Sequence, residues 1–167
     1  MLKQKVRDPG NHFNESPGPD LLIHPMSLQD LEEVLRIEKA CFRTPWSRGQ
    51  FLDEIERNPI SFPYVLKHKK NVVAYCVCWL IKDELHINNL AVDPDHRRQG
   101  YAMILMRLAL DFGKTCGCRM ATLEVRTTNA PALQLYQQLG FQILGIIPGY
   151  YEDTGEDAFI LYKRWEA

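Results

Sequence analysis

The stretch Asn89-Leu90-Ala91-Val92-Asp93-Pro94-Asp95-His96-Arg97-Arg98-Gln99-Gly100-Tyr101-Ala102 limits the possible folds of this chain more than any other. An apolar run meets a turn, two arginines and a small-residue elbow, after which Met103 to Leu110 carries apolar residues at helical spacing. The pattern predicts a strand, a turn and a helix N-terminus that grips a pyrophosphate. The first turn of a helix has unpaired backbone N–H groups and the positive end of the macrodipole, so a phosphate sits there when no side chain blocks its approach. Gly100 and Ala102 are the unblocked positions, and Arg97 and Arg98 add fixed positive charge beside them. Taken alone, the segment also fits a plain glycine turn flanked by arginines. The neighbouring segments decide.

With 167 residues, 46% hydrophobic and 25% charged, the chain suits one globular domain with a sizeable core. A net charge of −1 gives no general basic surface, so direct nucleic-acid binding is not expected. No window is apolar and uncharged over the roughly 20 residues a membrane helix needs, and the N-terminus lacks a secretory signal core, so a cytoplasmic protein is expected. The five cysteines, Cys41, Cys76, Cys78, Cys116 and Cys118, are then expected as thiols. Cys76 and Cys78 alternate within a strand pattern and read as small core residues of one sheet face, while Cys116-Gly117-Cys118 reads as the end of a helix. Zinc sites space their ligands differently, and no metal is expected.

Residues 1–20 combine Pro/Gly turns with scattered charge and read as a flexible N-terminal leader, with the domain running over residues 21–167. Leu21 to His24 predicts a first strand. Ser27 and Asp30 predict a helix start, with Leu28, Leu31, Val34, Leu35 and Ile37 as its apolar face. A second helix is predicted over Ser47 to Arg57, then strands over Phe62 to Lys67, Val72 to Ile81 and Glu84 to Val92 as an antiparallel meander. A helix from Tyr101 to Lys114, a strand from Ala121 to Arg126, a helix from Asn129 to Leu139 and strands from Phe141 to Ile147 and Ala158 to Trp165 complete the order. The class is α/β: a mixed, mostly antiparallel central sheet with helices on both faces.

The segment Arg97-Arg98-Gln99-Gly100-Tyr101-Ala102 resembles the coenzyme motif Gln/Arg-x-x-Gly-x-Gly/Ala of the GNAT-type N-acetyltransferases, with Ala102 in place of the second glycine, and the element order from Leu21 to Trp165 fits theirs. Phe42-Arg43-Thr44-Pro45-Trp46-Ser47, Leu123 to Asn129, Ala132 to Phe141 and Gly149-Tyr150-Tyr151 are similar to the bacterial ribosomal-protein-alanine N-acetyltransferases of the RimI type. The leader is an addition to that pattern.

This resemblance implies acetyl transfer from acetyl-CoA, as co-substrate, to the N-terminal alanine of a small-subunit ribosomal protein, with no metal. It implies that Arg97 to Met103 hold the pyrophosphate and that Leu90, Ala91 and Val92 offer main-chain groups to the pantetheine arm and thioester oxygen. Asn129 is implied to touch the coenzyme, Glu124 to be the general base and Tyr136 the general acid. From the residues alone, Glu124 in Ala121-Thr122-Leu123-Glu124-Val125 is either a base whose pKa partial burial raises or an exposed residue in simple alternation. Tyr136 lies two helical turns from Asn129, on the same face, and equally reads as a core tyrosine. Trp46, Tyr150 and Tyr151 are candidates to wall an acceptor groove, or simply close the core. The acidic run Glu152, Asp153, Glu156 and Asp157 either attracts a cationic N-terminus or is a solvated turn. Other acceptors, namely another protein N-terminus, a lysine or a small amine, fit the same coenzyme motif, and a non-catalytic acetyl-CoA-binding module is the rival outside catalysis.

Overall fold

The computed structural model describes residues 13–166, which form β1 (Glu15–Gly18), β2 (Leu21–Pro25), α1 (Leu31–Cys41), α2 (Arg48–Leu52), β3 (Ser61–His68), β4 (Asn71–Ile81), β5 (Glu84–Val92), α3 (Tyr101–Thr115), β6 (Met120–Arg126), α4 (Ala130–Gln138), β7 (Gln142–Tyr151) and β8 (Glu156–Arg164). Short 3-10 turns precede α1 and α3, and a π-turn over Asp53–Arg57 extends α2. Among the described residues the strands make one sheet in the order β1-β2-β3-β4-β5-β6-β8-β7. Only the β5–β6 step is parallel. A parallel step needs a crossover, and α3 supplies it.

Both sheet faces carry helices, as the apolar spacing requires. Leu105, Met106, Ala109 and Phe112 of α3 and Tyr136 of α4 pack on Leu85, Ile87, Leu123, Val125 and Leu161. On the opposite face Leu31, Val34 and Ile37 of α1 and Phe51 of α2 pack on Val65, Val72, Tyr75, Val77 and Ala91. Leu28, expected on the apolar face, is exposed. Cys76 and Cys78 are buried in the α3 cluster, where burial pushes the Cys76 thiol up to about 12.

β5 is irregular at one point. Val77 pairs with Asn89 and Cys78 with Ile87, so Asn88 is an extra residue in the ladder. The bulge switches the alternation: Leu85 and Ile87 face the α3 cluster before it, Leu90 and Val92 after it, while Ala91 turns toward α1.

Two expectations are corrected. The leader does not extend to Asp20. Phe13 is 2% exposed, its ring stacked 4.4 Å from Tyr64 and 4.7 Å from Phe112, and Glu15–Gly18 pairs with β2. What reads as a Pro/Gly tail is a hairpin turning at Asp20, whose φ of 62° is left-handed. Residues 1–12 of the expected leader lie outside the described residues. Tyr150 and Tyr151 are not on a loop either: β7 continues through Pro148 and Gly149 to Tyr151. β7 is the edge strand, where a proline's missing N–H costs no ladder bond.

Candidate active site

The α3 entry is built around a bent backbone. Arg98 and Gly100 both have positive φ, 62° and 82°, and Gly100 is the residue that caps α3. The first helical bond runs from Ile104 N to Gly100 O (3.1 Å), so the N–H groups of Tyr101, Ala102 and Met103 are left without a partner in the helix. A Cβ added at Gly100 would meet no atom within 4 Å: the approach to those N–H groups is open. Arg97, Arg98 and Gln99 are exposed around it, while the Tyr101 side chain is buried and donates its hydroxyl to Gln99 Oε1 (3.0 Å). Asp93 anchors the loop. Its carboxylate accepts from Asp95 N (3.2 Å) and Arg36 Nη2 (2.8 Å); burial pushes its pKa up, but these two bonds and the Arg36 charge together outweigh that and hold it below the usual range.

The parallel β5–β6 pairing stops early. Glu84 to Ile87 face Met120 to Leu123, and no pair follows. Beyond that point β5 stays with β4 as far as Val92, and β6 stays with β8 through Arg126. Asn88–Val92 and Glu124–Arg126 therefore diverge as a wedge whose inner backbone edges have no ladder partner. The buried Oδ1 of Asn88 has no hydrogen-bond partner among the described residues. Leu90, Ala91 and Val92 thus lie on one wall of this wedge, and the open helix end of Gly100 follows directly after it.

Glu124 stands on the other wall. It faces away from the α3 cluster together with His86, Thr122 and Ile160, in a groove of about 450 Å³. His86 Nε2 lies 3.2 Å from Glu124 Oε2, and His86 Nδ1 lies 2.8 Å from Thr122 Oγ1, whose hydroxyl donates to Glu84. With the Thr122 proton committed to Glu84, Nδ1 must carry a hydrogen for Thr122 to accept. Sequence reading missed His86. Its pairing with Glu124 depends on the β5–β6 register, which neither strand reveals alone.

Tyr136 is buried with its ring edge-on to Phe141 (5.8 Å between centroids). Burial pushes its hydroxyl well above the ordinary range, with the charges of Cys76 and Tyr151 adding, so it is protonated at neutral pH. Asn129 precedes the helix that carries Tyr136. The backbone there is not helical (ψ 76°), and Asn129 Oδ1 accepts from Ala132 N (3.3 Å) as the cap of α4. The two-turn spacing counts from a residue that precedes the helix.

The β7–β8 turn is fixed by Arg126 of β6. Its guanidinium lies 3.9 Å over the Tyr151 ring, grips both Asp153 oxygens (3.0 and 2.9 Å), and reaches Thr154 Oγ1 (2.8 Å) and Glu156 (3.3 Å). Asp157 accepts from Gly149 N (2.9 Å). Three of the four acidic residues therefore hold the hairpin together. At Asp153 desolvation acts upward, but the Arg126 bonds outweigh it and lower the pKa, and Arg43 from the α1–α2 loop adds to this. Loop and hairpin thus approach each other. Tyr150 is raised by burial and then by the charge of Glu124; Tyr151 is raised to about 12 by burial, Tyr150 and Glu124 against the pull of Arg126. The half-buried Trp46 ring leans on Phe51 (5.3 Å) in the α1–α2 cluster.

An open helix end, a wedge in the sheet and a carboxylate on its β6 wall follow one another along β5, β6 and the turn into α3. The model of the acetyltransferase (GNAT) family matches residues 31–141. The ribosomal protein bS18-alanine N-acetyltransferase of Escherichia coli K12 is 33% identical over 141 residues, 83% of this chain and 94% of its own. A Bacillus subtilis protein given the same activity provisionally is 36% identical over 140 residues, 84% of this chain and 93% of its own. The crystal structure of the Escherichia coli ribosomal-protein-S18-alanine N-acetyltransferase superposes with a TM-score of 0.81 at 30% identity, covering 88% of this chain and 95% of that one. The family match, shared sequence over most of its length and a shared overall fold place this chain in the acetyltransferase (GNAT) family.

Proposed function

We propose that this acetyltransferase moves acetyl from acetyl-CoA to the α-amino group of an N-terminal alanine on a small-subunit ribosomal protein, in the cytosol and by direct transfer. The observation that supports the reading is the wedge: beyond Ile87 the β5 edge leaves β6, on which Glu124 lies, and runs on to the open helix N-terminus at Gly100. Its acceptor is supported by relatives named for that activity over most of this chain. No described helix is long and apolar enough to cross a membrane, and the five thiols are free.

The residues present fit the coenzyme. The bare Gly100 position and the N–H groups of residues 101–103 suit a pyrophosphate, with Arg97 and Arg98 beside them. The unpaired edge of Leu90, Ala91 and Val92 suits an extended amide-bearing arm. Acetyl-CoA supplies the activated acetyl thioester; the protein supplies position and proton management. An α-amino group has a pKa of about 7.7 to 8.0 against about 10.4 for lysine, so a substantial fraction is already neutral near pH 7 and a carboxylate suffices as the base that takes its proton on attack. Glu124, supported by His86, accepts the amine proton directly or through one water. β5 N–H groups steady the carbonyl oxygen, and Tyr136, kept protonated by burial, delivers its proton to the departing sulfur. Tyr150 and Tyr151 line the acceptor side, and the Asn129 side chain keeps its amide N–H₂ group for the coenzyme.

The test is thiol release from acetyl-CoA with an Ala-initiated ribosomal-protein peptide. Glu124→Gln and Tyr136→Phe should each lose about 10²- to 10⁴-fold in kcat while acetyl-CoA binding survives. Tight acetyl-CoA binding with no peptide turnover by wild type would hand the case to a small-amine enzyme or a binding module.

A further inference from the structure

Apart from the proton-transfer groups, the protein buries the carboxylate of Glu38. This α1 carboxylate is 1% exposed, and no cation pairs with it among the described residues. Burying a carboxylate without a counter-charge is costly, and a methionine or leucine would fill the same volume. What the carboxylate adds is direction. Oε1 accepts from the Trp46 backbone N–H (2.8 Å), while Oε2 accepts from the Tyr75 hydroxyl and from Asn89 Nδ2 (3.0 Å). Burial first, and then Glu38 itself, raises the Tyr75 hydroxyl, so Tyr75 remains the donor.

Those three donors come from three places that meet at the site. Asn89 flanks the β5 bulge, two residues after Ile87, the last β5 residue paired with β6. Tyr75 belongs to β4, beneath the α1–α2 cluster. Trp46 belongs to the α1–α2 loop, and its bond to Glu38 is the hydrogen bond that ties residues 43–46 to the body of the protein among the described residues. The same loop begins at Cys41, whose thiol meets Val92 O (3.3 Å), and it carries Arg43 toward Asp153 of the β7–β8 turn. Cys41 Sγ also accepts from Arg97 Nη2 (3.4 Å), so the start of the loop meets the α3 entry, while its far end is held to the body by Trp46.

We infer that Glu38 is a positioning residue for the acceptor peptide: its carboxylate pins the α1–α2 loop to the β5 bulge and so sets the gap between loop and hairpin through which the peptide N-terminus reaches Glu124. The inference rests on the function proposed above. It acts on acceptor binding more than on coenzyme binding, because Glu38, Trp46, Tyr75 and Asn89 make no hydrogen bond to residues 97–103 among the described residues, although Cys41 at the start of the loop meets Arg97.

The experiment uses the full chain with four variants. Glu38→Met leaves the Trp46 N–H, the Tyr75 hydroxyl and the Asn89 amide without their acceptor. The peptide KM should rise at least tenfold, with kcat within threefold and acetyl-CoA Kd within twofold of wild type. Glu38→Gln can still accept from Trp46 and should bring KM back to within threefold of wild type. Tyr75→Phe removes a partner but keeps the loop bond, so it should lower Tm while leaving peptide KM within twofold. If Glu38→Met does not fold, Glu38→Asp takes its place, since it draws the carboxylate back by about 1.5 Å and carries the same expectation. Amide exchange at Trp46 reads the anchor without any substrate: it should be at least tenfold faster in Glu38→Met and unchanged in Tyr75→Phe. An unmoved KM in Glu38→Met, an equal rise in Tyr75→Phe, or a parallel loss of acetyl-CoA affinity would each overturn the inference. Failure of wild type to turn over the peptide would instead count against the proposed function, and Trp46 exchange would still decide the anchoring.

Discussion

Replacing Gly100 with alanine separates the needs of the fold from the needs of the coenzyme. At φ 82° an alanine costs about 1 kcal/mol of left-handed strain, and the new Cβ adds no steric cost because no atom lies within 4 Å. For a chain of this size that strain lowers Tm by about 2–4 °C. The other end of α3 offers a matched control: Gly117 has φ 83° and is equally open, so Gly117→Ala should lose the same stability. The two variants part company over the ligand. A methyl group at residue 100 occupies the space a pyrophosphate needs to reach the N–H groups of residues 101–103, so acetyl-CoA Kd, measured by titration calorimetry, should weaken at least about tenfold, or 1.4 kcal/mol. Gly117→Ala should leave Kd within twofold. Equal Tm losses with an unchanged Kd in Gly100→Ala would refute the placement of the phosphates, whatever the variant's activity.

Two further perturbations probe the rest of the frame. Arg126→Lys keeps the charge but loses the two-pronged grip on Asp153 and the stacking over Tyr151, so peptide KM should rise about fivefold or more with a Tm change under about 2 °C, measured by steady-state kinetics and thermal melts; a Kd change for acetyl-CoA would contradict the assignment. Asp30 is fully buried, bonded to Ser27 N (2.8 Å) and paired with Lys67 (2.7 Å); burial pushes its pKa up, but those partners outweigh it and hold the folded-state value below 3.8. Its stabilising effect is therefore present above about pH 3.8 and lost as pH falls through the lower folded value, so Asp30→Asn should cost about 1–3 kcal/mol in urea unfolding at pH 7 and progressively less toward pH 2.5; a pH-independent cost would refute the pairing.

Local signals in the sequence carried far, and they failed where distance decided. The β3–β5 meander follows from alternation within each strand, and the α3 entry from Gly100 and the apolar spacing after it, so both are readable within a dozen residues. Phe13 belongs to the core because Tyr64 and Phe112 receive it from far along the chain, which no window around Pro17 and Pro19 contains. Pro148-Gly149 has the composition of a turn, yet an edge strand accepts it, and only the sheet order tells that β7 is an edge. Glu124 was visible as a charge in an apolar strand, whereas His86 needed the register of β5 on β6. Glu38 reads as an ordinary helix charge beside Lys39 until Asn89 and Tyr75 are brought against it. Asn129 shows the converse: its spacing from Tyr136 is correct, but helical geometry begins one residue later.

The brevity of the β5–β6 ladder makes this sheet, mechanically, two plates sharing a short seam. Four residue pairs stitch the five-stranded plate to the three-stranded one. Beyond them, a molecule lying in the gap serves as the missing rung between the plates. Such a guest stabilises the assembly by RT ln(1 + [L]/Kd), about 2.7 kcal/mol at a hundredfold excess over Kd. The nucleotide handle and the transferable group would then be carried by one filling strand, so supply of the donor and rigidity of its catalyst rise and fall together.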